Sequence, residues 1–188
     1  MQLLIKHGAN VDAQNQDQST PLHLASSSGD AETMQVLIKH GADVHARDKS
    51  QSTSLHLALS RWNLEIAQLL IKHGADVHAR NQSQSTPLHM ASSLPPWIKG
   101  NRTVHLLIEH GASVNVHDKD HQTPLHCLSS CCCDPNADSL TLLLENGAHV
   151  DVEDDEGFTP YQIALADENY KIARLLLDHR ARMVSNTR

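Results

Sequence analysis

The chain has 188 residues, a formal net charge of −7 at pH 7 and an aromatic content of only 3%. Nothing globally basic invites a nucleic acid backbone, and no apolar run approaches the roughly 18 residues a membrane helix needs. The opening residues Met1-Gln2-Leu3-Leu4-Ile5-Lys6-His7 lack the basic region and long apolar core of a signal peptide.

Those residues instead copy Met34-Gln35-Val36-Leu37-Ile38-Lys39-His40. The chain is therefore expected to start inside a repeating unit, as a fragment or short form of a longer array. Leu3, Leu4 and Ile5 would then lie partly bare. Residues 18–50 give the type unit. Thr20 has the oxygen to cap a first helix, and Pro21 suits its first turn, where a missing N–H costs nothing. Leu22, Leu24 and Ala25 supply a short apolar stripe, and Gly29 ends the helix. A second helix over about residues 31–40 carries Met34, Val36, Leu37 and Ile38 and ends at Gly41. Ala42-Asp43-Val44-His45 then leads into a hairpin-like finger that reaches the next Thr.

The phrase Thr-Pro-Leu-His stands at 20–23, 86–89 and 123–126, with weaker copies at Thr53-Ser54-Leu55-His56 and Thr159-Pro160-Tyr161-Gln162. Successive copies begin 33, 33, 37 and 36 residues apart. The two longer intervals need insertions, read at Ser92–Gly100 and Ser129–Pro135, where Pro and Ser mark loops. Each helix is too short to persist alone in water, so stability must come from stacking neighbours.

A period of 33 with this motif resembles an ankyrin repeat array over essentially the whole chain. The resemblance implies an all-α fold: an ankyrin-repeat solenoid of stacked helix-turn-helix units with short β-hairpin-like fingers. It would form a single array over 1–188, with a partial repeat at 1–17 and repeats at 18–50, 51–83, 84–120, 121–156 and 157–188. The chain departs from the family at the finger turn, where Gln18, Gln51, Gln84 and His121 replace the usual glycine and only Gly157 conforms. Because Gln disfavours positive φ, another turn geometry is expected there. Arg180 stands in place of the last helix-ending glycine, so the final helix is expected to fray.

Fifteen histidines raise the question of metal or catalytic chemistry. Repeat position explains most of them. By the resemblance, His23, His56, His89 and His126 bridge helix caps through hydrogen bonds. His7, His40, His73 and His110 precede helix-ending glycines, where an imidazole suits the helix C-terminus. In related arrays the position of Asn115, His45 and His78 is one that asparaginyl hydroxylases can modify. Cys127 and the run Cys131-Cys132-Cys133 lack zinc spacing, and they read as structural or neutral thiols in a reducing compartment. No nucleophile elbow, phosphate loop or calcium loop appears. The expectation is a chain that is not an enzyme and has no cofactor and no metal.

The resemblance implies a protein or peptide partner, of a kind the residues do not name, on the concave face of fingers and first helices. It implies neither nucleic acid nor membrane insertion. The family's variable positions fall on Lys49, Ser50, Ser60 and Arg61, then on Gln82, Ser83, Ser93 and Leu94. Farther along come Lys119, Asp120 and Gln122, and then Asp155, Glu156 and Phe158. Trp62, where a glycine is usual, and Trp97 form a candidate secondary patch on the rim. The reading is an intracellular, cytoplasmic or nuclear, monomeric scaffold or adaptor. Its rival is the recognition or regulatory region of a larger ubiquitin ligase, kinase, NTPase signalling protein or ion channel.

Overall fold

The computed structural model describes residues 2–93, 100–130 and 137–186, and within them the chain is entirely helical apart from turns. It divides into two compact units, one ending at Pro87 and one beginning at Leu88. The first unit holds α1 (Gln2–Lys6), α2 (Pro21–Ser28), α3 (Ala31–Lys39), α4 (Ser54–Ser60) and α5 (Leu64–Lys72). The second takes all but the first residue of α6 (Pro87–Ser92), then α7 (Gly100–Glu109), α8 (Pro124–Ser129), α9 (Ala137–Glu145), α10 (Pro160–Ala166) and α11 (Tyr170–Asn186). Residues 94–99 of the first insertion and 131–135 of the second lie outside the described residues, and with them Leu94, Trp97 and Cys131 to Cys133.

Stacking follows the repeat. In the first unit α2 packs on its own partner α3 and on α4, the first helix of the next pair, while α3 meets α5. In the second unit α8 packs on α9 and α10, α10 on α11, and α9 on α7 and α11. First helices thus lie on first helices and second on second. The faces that meet are those the apolar spacing marks. Leu22, Met34, Leu37, Leu55, Leu59, Ile66 and Leu70 are fully buried in the first unit, and Leu88, Leu107, Leu125, Leu140 and Leu143 in the second. Each such side chain contributes roughly 1.5–3 kcal/mol. That is enough to hold helices of six to ten residues that would not form in isolation.

Second helices are capped by residues the motif does not include. Asp30 Oδ1 accepts the Thr33 N–H at 2.9 Å, and Asn63 Oδ1 accepts the Ile66 N–H at 3.1 Å. Two sequence expectations are overturned here. Gln18, Gln51, Gln84 and His121 adopt φ of 58 to 59°, the same left-handed region as Gly157 at 81°. The glycine-free turns therefore keep the glycine geometry and absorb its cost. The final helix does not fray at Arg180. Without a left-handed glycine to stop it, α11 runs on for 17 residues to Asn186.

Candidate protein-binding surface

Each finger is built on one Asn or Asp five residues before the repeat's Thr. Asp48 Oδ1 accepts the N–H groups of Ser50 and Ser52 at 2.8 and 2.9 Å, and the Asp48 N–H returns to the Ser52 carbonyl at 3.0 Å. Asn15, Asn81, Asp118 and Asp154 do the same in their own repeats. A short polar side chain thereby replaces a β-ladder, and no strand forms among the described residues. Asp154, within the acidic run Glu153-Asp154-Asp155-Glu156, is one of these organising acceptors.

Behind every finger but the first a buried histidine ties two repeats together. Thr20 donates its N–H to His23 Nδ1 at 3.2 Å, and its hydroxyl lies 2.9 Å from the same nitrogen. Because Nδ1 accepts, the ring proton sits on Nε2, which donates to the Ser52 carbonyl of the next finger at 3.1 Å. His56 repeats this toward Ser85 O at 3.2 Å, and His89 Nε2 reaches Gln122 O at 3.0 Å. His126 reaches both Val152 O and Phe158 O. Burial pushes the pKa of His56 and His126 below the ordinary imidazole value. The bridging role expected of these histidines is what the geometry displays. His40 and His110 cap their helix ends, each with Nδ1 2.8 Å from the carbonyl four residues back.

The fingers also join tip to tip. Lys49 N–H donates to Asp17 O at 2.9 Å and Gln82 N–H to Ser50 O at 2.8 Å in the first unit. Asp155 N–H donates to Asp120 O at 3.2 Å in the second. Lys49, Ser50, Gln82 and the half-buried Ser83 therefore form one fixed row. Lys119 and Asp120 form another with Asp155 and Glu156, all exposed. Gln122 is half-buried, and its backbone N–H donates to Asp118 Oδ1. Phe158 closes the last finger with 44% of its surface exposed.

Other sequence-selected positions stand apart from these rows. Ser60 and Arg61 are exposed at the far end of α4, about 10 Å along the helix from its finger at 1.5 Å per residue. Ser93 is exposed just after α6, with its hydroxyl on His89 O at 3.1 Å. Trp62 is 54% exposed and sits at φ 62°, in the turn where the preceding repeat has Gly29 at φ 77°.

Among the described residues no three metal-binding side chains converge, and no helix is long and apolar enough to cross a membrane. Cys127 retains some accessible surface, yet burial of its sulfur pushes the thiol up to about 12, with Asp118 adding to the shift. It is a neutral thiol at pH 7. Sequence reasoning missed the Asn/Asp finger acceptors, although their constant distance from each Thr was legible. The apolar stripe expected of Leu22, Leu24 and Ala25 holds only for Leu22 and Ala25, because Leu24 points outward from α2 and is exposed.

A search of curated proteins finds no match to the chain. A family model described as ankyrin repeats (3 copies) matches at residues 1–81, 27–118, 63–154 and 88–187. Repeats of this kind are generally protein–protein interaction modules and typically non-catalytic. The overlapping matches run from the first residue to the last helix, over the same helix pairs and fingers described above, and the chain belongs to the ankyrin repeat family.

Proposed function

We propose that this chain is a non-catalytic scaffold or adaptor that binds a protein or peptide partner on its finger-and-first-helix face, the face that is concave in related arrays. The supporting observation is the tip-to-tip backbone bonding of Lys49 to Asp17, Gln82 to Ser50 and Asp155 to Asp120. The backbone of such a row is already ordered, so a partner meets it without the entropic cost of freezing loops. Polar groups dominate both rows, with Phe158 at the last finger and Arg61 at the far end of α4 as candidate anchors.

The test is binding by the whole chain, compared with a form carrying Lys49→Ala, Asp155→Ala and Phe158→Ala. Partners captured by the native chain and lost from the triple variant, at unchanged melting temperature, support the reading. An unchanged set of captured proteins overturns it. Trp62 offers a secondary patch on the same footing. Its exposure favours docking over a fold-back onto neighbouring aliphatics, and Trp62→Gly should remove a distinct subset of partners. The chain acts as a monomer in this reading, and concentration-dependent sedimentation would contradict that.

A further inference from the structure

The end of the second unit holds a groove of about 640 Å³ between the finger at 147–152 and the extended α11. Its lining is mainly apolar and includes Leu144, Ala148, Val150, Val152 and Met183, with Asp151 at its edge. What such a surface receives can be read from the repeats upstream. Asp12 Oδ1 accepts the N–H of Asp43 at 3.0 Å, and Asn115 Oδ1 accepts that of His149 at 2.9 Å. In both cases the donor is the third residue of a Gly-Ala-x-Val segment, Gly41–Val44 or Gly147–Val150. Its apolar residues are typically buried, as Ala42, Ala75, Val77, Ala112, Val114 and Ala148 are.

Asp151 holds the position of Asp12 and Asn115, but no such segment follows it. Residues 180–183, which would supply it, are helical, with Arg180 in place of the turn-forming glycine. The Arg180 guanidinium occupies the place of the missing donor, with Nε 3.2 Å from Asp151 Oδ1. Both side chains are more than half exposed, so a better-placed donor meets little resistance in displacing this pair.

We propose that this groove binds an extended segment of a partner protein that carries Gly-Ala-x-Val, with the N–H of x donated to Asp151 and the Ala and Val packed on the apolar floor. The surface continues the repeat-on-repeat interface already used within the unit, which is why a finger-like segment fits it and a featureless apolar ligand does not. An acidic x is favoured, because its carboxylate can pair with Arg180 once that guanidinium leaves Asp151.

The probe is acetyl-Gly-Ala-Asp-Val-His-Ala-amide, a copy of residues 41–46, titrated into the isotopically labelled full chain and followed by amide chemical shifts. Saturable shifts confined to residues near 144–152 and 179–183 are expected. Asp151→Ala should weaken binding by about fivefold, what one ordinary hydrogen bond contributes. Met183→Gln, at an exposed position that does not carry the fold, should weaken it as well. A peptide N-methylated at Asp should bind at least about fivefold more weakly than the parent. Absence of saturable shifts, or equal binding of the N-methylated peptide, overturns the proposal. So do shifts that depend on protein concentration alone, since a second copy of the chain would then be the occupant.

Discussion

His56 and the Ser85 carbonyl, 29 residues apart in sequence, are joined by a hydrogen bond of 3.2 Å whose other ring nitrogen caps Thr53. One imidazole thus serves its own helix and the next finger at once. Gln162, at the same position in the last repeat, shows the two jobs separated. Its Oε1 accepts the Thr159 N–H at 2.8 Å and the Thr159 hydroxyl at 3.0 Å, which is the cap without the imidazole's second nitrogen.

His56→Gln should therefore keep the cap and lose the link between repeats. The expected cost is about 1 kcal/mol, from the lost bond alone, since the Ser85 carbonyl keeps the Asn81 N–H. His56→Ala, which loses both functions and leaves a void, should cost more. Urea denaturation midpoints at pH 7.5 measure the difference. Equal destabilisation by Gln and Ala would show that the cap alone matters.

Acid should unfold the array earlier than its carboxylates require. Burial lowers the pKa of His56 and His126 in the folded chain below the 6.5 of an ordinary imidazole. Above that value both folded and unfolded forms are neutral, and stability does not change with pH on their account. Below it the unfolded chain takes up protons that the folded chain resists, so stability falls as pH drops toward the folded pKa. Melting temperature should hold from pH 8 to 7 and decline as pH falls below about 6.5. The slope should be shallower in His56→Gln. Asp30, held below the carboxylate range by Thr33, contributes only in a separate window below 3.8. A melting temperature that rises between pH 7 and 5 would refute this account.

Left-handed Gln residues are the places where the fold is easiest to improve. Gln51 lies at φ 58°, where a side chain costs about 1–2 kcal/mol relative to glycine. Part of that gain is offset by the greater freedom of glycine in the unfolded chain. Gln51→Gly should raise stability by about 0.5–1 kcal/mol. Gly29→Ala should do the reverse, because its Cβ would lie 2.7 Å from Asn63 Nδ2 at φ 77°. Thermal melts of both variants should move in opposite directions, and a stabilised Gly29→Ala would contradict the turn geometry.

Cys127 should resist alkylation. With its thiol pushed up to about 12 from an ordinary 9.0, the thiolate fraction at pH 8 falls by about a thousandfold, and the thiolate is the reacting form. Peptide mass spectrometry after iodoacetamide treatment, native against denatured, reads this directly. Labelling at equal rates in the two states would mean the sulfur is not buried.

Most of the architecture was legible in the primary structure because each repeat restates it. Thr20, Pro21 and Gly29 mark one helix by local chemistry, and the same marks recur at each Thr-Pro-Leu-His phrase. The finger turns were misjudged because propensity weighs Gln51 alone, whereas Asp48 and the neighbouring tip hold its backbone at positive φ. The end of α11 was misjudged for a related reason. Removal of a stop signal at Arg180 was read as weakness, while in the folded chain it lengthens the helix. The candidate surface was legible only as a set of variable positions. Whether Arg61 joined the tips depended on how far α4 carries it from its finger.

The sequence by itself determined the period, the helix pairs, the buried leucines and the family, since all of these rest on short-range spacing repeated along the chain. Only the tertiary structure decided which carbonyl each histidine reaches, which tips share a row, and that Arg180 answers Asp151 beside an open groove. Those relationships join residues about 30 positions apart, and no local preference encodes a distance that exists only after one repeat lies against the next.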